Sequence, residues 1–274
     1  MSLGGRRGGT RKDATVSLTT MSPRLPSPEP RIPVFPNGRR PTWLVAVVVL
    51  FAVVPALMAV ADDRIGLRLV MGASTLTILG AAACLNVLFG TIQERLLRID
   101  PSASGVWFRP APAATAVPFV LGILLLLPAV TQIFVDALRL PTMPSFLLTR
   151  APYALGLLGL GVVVTSAVRL RQPAGLHLTS RGLTGIRGRG RVDWTWDELA
   201  EVGVGAGPVA TLHLIADGAG PRVEAPMLAL GSDPNQVATV VRYFRDVPAA
   251  RTELDGPGPV VLRGVDDALR AREG

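Results

Sequence analysis

Residues 113–135 read AATAVPFVLGILLLLPAVTQIFV and contain no charged side chain in 23 residues. A helix of about 20 apolar residues crosses the hydrocarbon core of a bilayer. One Asp or Arg at the centre of such a helix would cost about 2.5–3.5 kcal/mol. Three further uncharged apolar runs share this property, at residues 42–61, 69–90 and 151–168. The chain therefore predicts an integral membrane α-helical bundle of four transmembrane helices over residues 42–170.

The composition of the chain agrees with a membrane protein. Of its 274 residues, 49% are hydrophobic and 18% are charged, whereas soluble domains carry about a quarter charged residues. The net charge of +8 lies mostly in residues 1–41, where eight basic and two acidic residues leave +6. Residues 169–274 hold thirteen of each sign. The low charge argues against an ordinary soluble enzyme, and the neutral C-terminal part argues against a nucleic-acid partner.

Residues 1–41 predict a disordered, basic, Pro-rich cytoplasmic tail. They contain seven prolines and no periodic apolar pattern, so burial cannot offset the entropy lost on ordering. Met21 is an alternative start of the chain. A cleaved signal is an alternative for the first apolar run, since AVA at 59–61 precedes an aspartate and two arginines at 39–40 precede the run. The length of the run and Pro55 inside it favour a retained helix.

The flanks of the apolar runs predict their orientation. Lys and Arg near helix ends concentrate on the cytoplasmic side of multi-pass proteins. The second loop and the segment after the fourth run lie on the same side as residues 1–41, and they contain Arg95, Arg98, Arg109, Arg169 and Arg171. Two arginines in the third loop, Arg139 and Arg150, are a mild conflict. We expect a multi-pass protein of the cell membrane with both termini in the cytoplasm.

Few polar residues lie at membrane depth. Asn86 and Gln132 are the amides there, and we expect them to form interhelical hydrogen bonds. Ionisable side chains usually mark ion pathways, so their absence from the runs argues against an ion-coupled transporter. In the second loop, Trp107 and Phe108 predict either a short hairpin at the lipid headgroups or a plain connector.

The pattern changes to period two after about residue 173. Leu176 and Leu178 alternate with polar residues, and SRG at 180–182 predicts a turn. Apolar and polar residues alternate again at 192–197, 212–214 and 223–227, which predicts further strands. In the first of these, Trp194 and Trp196 would lie on the same strand face. Asp233 and Pro234 then predict the start of a helix, whose apolar stripe would be Val237, Val240, Val241 and Phe244, and which Pro248 would end.

Two of these segments carry a resemblance. LHLTSRGL at 176–183 and VDWTWDEL at 192–199 resemble the opening hairpin and the "W-D-x-I/L" strand end of the bacterial pleckstrin-homology-like (bPH) family. The chain also resembles actinobacterial multi-pass membrane proteins that carry such a domain beside a few transmembrane helices. The resemblance implies an α+β domain over residues 171–252, a bent antiparallel sheet or barrel capped by one helix. Residues 253–274 would form a flexible tail, and residues 97–108 echo the opening hairpin too briefly for a second domain.

The resemblance also implies a binding role for the domain. Relatives in fold bind phosphoinositides through basic residues in an early hairpin loop, and Arg187, Arg189 and Arg191 lie in the corresponding loop here. Each basic residue near an anionic surface is worth about 1 kcal/mol. The three arginines are thus candidates for contact with an anionic lipid or a partner. The alternative is a solvated hairpin tip.

Motifs for catalysis are lacking in the sequence. HExxH, GxSxG and P-loop patterns do not occur, and the single cysteine, Cys84, excludes an intramolecular disulfide. His177 and His213 are weak evidence for a metal site. The acids at 193, 197, 198 and 201 are interpreted as a solvated face. We expect neither an enzyme nor a cofactor nor a metal.

The sequence thus predicts a membrane-anchored binding or scaffold protein. Its partners would be the lipid bilayer and either another protein or a second copy of the chain, with no nucleic acid. The alternative is an accessory subunit of a transport or envelope-synthesis complex with a lipid-like ligand in the bundle. A polar cavity around Asn86 and Gln132 would favour this alternative, and a packed bundle would favour the first hypothesis.

Overall fold

The computed structural model describes residues 19–21, 25, 31–35, 40–142, 145–171, 174–186, 190–207, 209–218 and 220–273. Four of its helical stretches are long and apolar enough to cross a membrane, which fits a multi-pass membrane protein. The stretches are built from α1 (Thr42–Phe51) with α2 (Val53–Ala61), α3 (Ile65–Thr91), α4 (Pro112–Ala137) and α5 (Phe146–Leu170).

The first stretch consists of two helices because of Pro55. A proline has no amide hydrogen, so the carbonyl of Phe51, four residues earlier, loses its helical donor. The assigned helix is interrupted at Ala52 and resumes at Val53. Both pieces keep large apolar side chains exposed, as a lipid-facing helix requires.

Small residues bring the backbones of α3, α4 and α5 together. A Cβ atom added at Gly156 of α5 would lie 2.5 Å from the Cβ of Ala129 on α4. A Cβ atom added at Gly159 would lie 2.7 Å from the carbonyl oxygen of Gly122. The Thr77 hydroxyl of α3 also donates to the carbonyl oxygen of Leu124 at 2.9 Å. These contacts form a small-residue packing face on α5 and leave little space between the helices.

The two amides at membrane depth behave differently. Gln132 is buried, and its amide donates to Asp136 Oδ1 at 2.8 Å, while Tyr153 of α5 donates to Asp136 Oδ2 at 2.6 Å. Among the described residues, Gln132 therefore has no direct hydrogen bond to another helix, and Asp136 links it to Tyr153 of α5. Asn86 is exposed on α3, and among the described residues it has no hydrogen-bond partner. The expected interhelical bond of Asn86 is wrong, because its side chain faces away from the bundle.

The rest of the described chain contains two antiparallel sheets. The first sheet has six strands in chain order, β1 (Thr19–Met21), β2 (Leu97–Ile99), β3 (Val106–Phe108), β4 (Leu176–Thr179), β5 (Gly182–Gly185) and β6 (Val192–Thr195). The second has β7 (Leu199–Gly205), β8 (Thr211–Ala216) and β9 (Arg222–Pro226). Three helices follow, α6 (Met227–Leu230), α7 (Pro234–Asp246) and α8 (Gly258–Glu273).

Strand β3 joins the second loop to the C-terminal region. Val106 lies opposite Leu178, and Phe108 lies opposite Leu176, so the loop hairpin continues the sheet of the C-terminal region. All four of these side chains are fully buried. The expected short hairpin is confirmed and the plain connector is wrong, because β2 and β3 pair and supply part of an apolar core.

The first sheet combines segments from three places along the chain. Strand β1 precedes α1, the β2–β3 hairpin lies between α3 and α4, and β4 follows α5. In a chain that crosses a bilayer four times, these segments are separated by even numbers of crossings. All three would then lie on the same side of the membrane, and we call the end of the bundle where they meet the domain side.

Helix α7 confirms the predicted helix after Asp233. It runs from Pro234 to Asp246, and the Asp233 carboxylate accepts from the Asn235 amide as an N-cap. Its predicted apolar stripe is fully buried. Trp196 is also buried, but it begins a 3-10 turn after β6 and donates its indole N–H to the Thr179 carbonyl at 2.8 Å. Trp194 on β6 is only half-buried.

The ends of the chain contain more structure than expected. The predicted flexible tail after residue 252 is wrong, because α8 buries Val261, Leu262 and Val265 at helical spacing. The Gly-Pro pairs at 256–257 and 258–259 follow the 3-10 helix that ends at Asp255, and they do not prevent α8 from beginning at Gly258. The predicted disorder of residues 1–41 is also wrong for the described parts, since Thr19–Met21 pairs with β2 and Val34 and Phe35 are buried.

Candidate functional site

The N-cap of α7 holds a fully buried carboxylate at the centre of a polar junction. The side chain of Asp233 is 0% exposed. Its Oδ2 atom accepts from Arg31 Nη2 at 2.7 Å and from the Arg95 amide at 2.8 Å, while its Oδ1 atom accepts from the Asn235 amide at 3.0 Å. Burying a charge without partners is costly. The guanidinium of Arg31 and the two amides compensate for that cost here.

Asn235 fixes the backbone beside Arg31. The Ile32 amide donates to Asn235 Oδ1 at 3.2 Å, and Asn235 Nδ2 donates to the Ile32 carbonyl at 2.9 Å. Asp233 and Asn235 together thus hold two consecutive residues of the N-terminal part. We call residues 31–35 the clamp segment.

The apolar end of the clamp segment reaches the membrane helices. Val34 and Phe35 pack with Ile92, which follows α3, and with Met227 of α6. The Phe35 ring meets the Phe89 ring of α3 edge to face, with centroids 6.4 Å apart. The clamp segment therefore ties the end of α3 to the sheet-containing part of the chain.

Sequence reasoning missed the clamp segment. Ile32, Val34 and Phe35 form an apolar island within a Pro-rich stretch, and this island is the signal that could have indicated a docked segment. Asp233 and Pro234 indicate only a helix start in the sequence, whereas in the structure Asn235 adds two hydrogen bonds to Ile32.

A cleft of about 240 Å³ opens next to this junction. It lies between the domain-side ends of α3, α4 and α5 and the short helix α6. Most of its lining is apolar. The polar side chains that line it are Thr115, Ser166 and Arg169. We call it the junction cleft.

The predicted arginine site is described only in part. Arg187 and Arg189 lie outside the described residues. Arg191 is exposed over 77% of its side chain, and its Nη2 atom lies 3.6 Å from Asp193 Oδ2. An exposed pair of this kind contributes little to stability. The role of the three arginines in binding an anionic lipid or a partner stays a prediction.

The two histidines lie on different sheets with different neighbours. A ring nitrogen of His177 lies 2.8 Å from the Ser104 carbonyl oxygen, and its ring packs on Trp107. His213 Nδ1 lies 2.7 Å from Arg222 Nη2, and burial together with the charge of Arg222 lowers the pKa of His213. Within the described ranges, no three His, Cys, Asp or Glu side chains are grouped so that they could hold a metal ion.

The acidic residues near the tryptophans have structural partners. Glu198 accepts from the Thr195 amide at 2.7 Å and completes a capping box. Asp197 lies 3.5 Å from Arg251, whose guanidinium also covers the Trp196 ring. The cluster therefore caps a turn and pairs with arginines, as its interpretation as a solvated face implies.

A further buried carboxylate holds the turn of the β2–β3 hairpin. Asp100 accepts from the Ser102 amide and hydroxyl at 3.0 and 2.6 Å, and from Arg109 Nη1 at 2.8 Å. Burial alone would raise the pKa of Asp100, but these hydrogen bonds and the charge of Arg109 outweigh it and lower that pKa below its ordinary value.

The described geometry thus offers two features with the chemistry of a binding site. One is the clamped junction at Asp233, and the other is the junction cleft with its three polar side chains. Comparisons of this chain with protein-family models, with curated proteins and with solved structures gave no match.

Proposed function

We propose that the chain is a non-enzymatic, membrane-anchored binding or scaffold protein. Its extramembrane domain engages a protein partner or the membrane surface. The observation that carries this proposal is the attachment of the domain, whose sheet and clamp contacts recruit the segment before α1 and the segment between α3 and α4. A domain attached in this way presents its outer surface at a fixed height and angle above the membrane.

The arrangement of strands supports a PH-like domain. Two antiparallel sheets and α7, which packs its apolar stripe into their common core, agree with the bent sheet and capping helix that the bPH resemblance implies. The β1 strand and the β2–β3 hairpin extend the first sheet beyond the expected residues 171–252. This extension is what joins the proposed domain to the bundle.

The charges favour a cytoplasmic position for the domain. The domain side carries Arg40, Arg95, Arg109, Arg169 and Arg171 close to the helix ends. The opposite side carries fewer basic residues near the helix ends, namely Arg64, Arg68, Arg139 and Arg150. By the positive-inside rule the domain side is the cytoplasmic side of the cell membrane.

The packing of the bundle separates this proposal from an accessory subunit with a lipid-like ligand between its helices. The glycine contacts of Gly156 and Gly159 close the space between α4 and α5. Gln132 is buried and bonded, and Asn86 faces outward. A packed interior favours the binding or scaffold function.

Site-specific photo-crosslinking in native membranes tests the proposal. A photoreactive amino acid at exposed domain positions Arg181 or Glu201 should give a discrete protein or lipid adduct. The matched control is Asp63, on the opposite side of the bundle. Adducts at the domain positions and none at Asp63 support the proposal. The same adducts at all three positions, or none at the domain positions, would overturn it.

A further inference from the structure

We propose that the junction cleft binds the phosphate-and-glycerol headgroup of an anionic glycerophospholipid from the adjoining leaflet. This inference concerns a site at the base of the domain, and it holds whichever partner the outer surface of the domain binds. Its support comes from the position, the lining and the unpaired polar groups of the cleft.

The position of the cleft places it at the level of the lipid headgroups. It lies where α3, α4 and α5 end on the domain side, below α6. Leu170, which lines the cleft, is 54% exposed at the end of α5, and Phe119, which follows the cleft residue Pro118 in α4, is also exposed. A lipid whose headgroup occupied the cleft could lay its acyl chains along this exposed apolar surface.

The lining has the composition of a small-molecule site. The walls are formed by small and aliphatic residues from four elements, among them Leu88, Ala114, Pro118 and Leu228. Binding pockets typically combine such walls with a few polar groups that orient the ligand. The volume of about 240 Å³ suits a headgroup and its glycerol carbons rather than a whole lipid.

The polar groups of the cleft are one cation and two hydroxyls. The side chains of Thr115, Ser166 and Arg169 form no hydrogen bond or ion pair with any other residue that the structure describes. Arg169 lies in the last turn of α5. A guanidinium and two hydroxyl groups are donors suited to phosphate oxygens, and charge-assisted hydrogen bonds are the stronger kind.

Pro118 adds an acceptor to the same cleft. It has no amide hydrogen, so the carbonyl of Ala114, which also lines the cleft, has no helical donor four residues later. This carbonyl oxygen, which lacks its usual helical donor, can accept from a headgroup hydroxyl. The site therefore fits a headgroup with both a phosphate and free hydroxyls, as in phosphatidylglycerol.

Buried charge behind the cleft favours an anion over a zwitterion. A smaller void next to the cleft shares Ala114 and Leu228 with it and is lined by Arg98. The Arg98 Nη1 atom is buried without a hydrogen-bond partner among the described residues. Helix α4 also begins at Pro112, so the positive end of its dipole lies close by.

The test uses the full chain in nanodiscs or mild detergent, with native mass spectrometry of bound lipid. We compare phosphatidylglycerol with phosphatidylcholine, and we compare the Arg169→Gln variant with the control Arg171→Gln, which removes an equal charge two residues away and outside the cleft lining. One retained phosphatidylglycerol is expected, with an affinity about tenfold above that for phosphatidylcholine. Arg169→Gln should lower that affinity by about tenfold, and Arg171→Gln should leave it unchanged.

A second variant keeps the test independent of charge. Thr115→Val preserves shape and removes one hydroxyl, so it should weaken phosphatidylglycerol binding about threefold while the melting temperature stays that of the wild type. Equal retention of both lipids, or equal losses in Arg169→Gln and Arg171→Gln, would overturn the proposal. Full competition by millimolar inorganic phosphate would also overturn it, since the cleft would then be a site for a free anion.

Discussion

The guanidinium of Arg31 lies 2.7 Å from the carboxylate of Asp233, although 202 residues separate them in the chain. Asp233 is fully buried, while Arg31 keeps about a quarter of its side chain exposed. The pair therefore joins a segment that precedes the first apolar helix to the start of α7. The Arg31–Asp233 ion pair is the polar part of the contact made by the clamp segment, and Val34 and Phe35 form its apolar part.

Replacing Arg31 should destabilise the domain. Arg31→Gln leaves the buried Asp233 carboxylate with amide donors alone, and we expect a loss of about 1–3 kcal/mol in the free energy of unfolding. The double variant Arg31→Gln/Asp233→Asn should lose less than the sum of the single variants, because the asparagine needs no countercharge. Thermal unfolding of the full chain in detergent measures both, with the exposed Arg40→Gln as control. Additive losses would show that the two side chains do not interact.

The pairing of β3 with β4 predicts a specific disulfide. Trp107 and His177 lie opposite each other, so Trp107→Cys with His177→Cys, in a background of Cys84→Ala, should cross-link on mild oxidation. Thr184 lies one strand further, opposite His177 on β5, and a Trp107→Cys/Thr184→Cys pair about 9–10 Å apart should not. Gel mobility of the full chain reads out both pairs. Equal cross-linking of the two pairs would contradict the register.

The two tryptophans near β6 should differ in their contribution to stability. Trp196 is buried and hydrogen-bonded to the Thr179 carbonyl, so Trp196→Ala should cost about 3–5 kcal/mol. Trp194 is half-buried, and Trp194→Ala should cost clearly less. The sequence alone predicts equal costs, because it places both side chains on one strand face. Denaturant unfolding followed by far-UV circular dichroism separates the two expectations, and equal midpoints would favour the strand-face prediction.

Acid should weaken the β2–β3 hairpin through Asp100. The folded-state pKa of Asp100 is lowered, so its contribution to stability is complete above the ordinary Asp pKa of about 3.9 and is lost as pH falls through the lower folded value. The melting temperature of the wild type should therefore fall more steeply below about pH 4 than that of Asp100→Asn. Glu201→Gln, at an exposed position, is the control and should follow the wild type. Parallel curves for wild type and Asp100→Asn would rule out this role.

Local signals predicted the parts of the fold that form from neighbouring residues. The four apolar runs and the start of α7 at Asp233 and Pro234 are confirmed, because each depends on residues within one element. The alternating strands after residue 173 are confirmed for the same reason, except that β6 ends at Thr195 and β9 ends at Pro226. Helix α8 was missed, since its short apolar stripe follows Gly-Pro pairs that usually end an element.

Contacts between distant segments could not be predicted in this way. Strands β2 and β3 contain three residues each, and a hairpin of that length is not stable by itself. Only pairing with β4 makes it part of a sheet. The junction cleft was missed for a similar reason, because Thr115, Ser166 and Arg169 come from two helices and meet only when these pack. The loop arginines that the family resemblance indicated lie elsewhere in the chain.

The first sheet takes its strands from three separate segments of the chain, so these strands pair in a fixed order during synthesis. In a membrane-inserted chain, the β2–β3 hairpin emerges from the ribosome after α3, but its partner β4 begins at Leu176, 68 residues after Phe108. At about 5–20 residues per second, the hairpin waits roughly 3–14 s with an unpaired strand edge. Failure of α4 or α5 to cross would place β3 and β4 on opposite sides of the membrane, and failure of the first stretch or of α3 would separate β1 from β2 in the same way. The complete six-stranded sheet therefore forms only when all four apolar stretches have crossed.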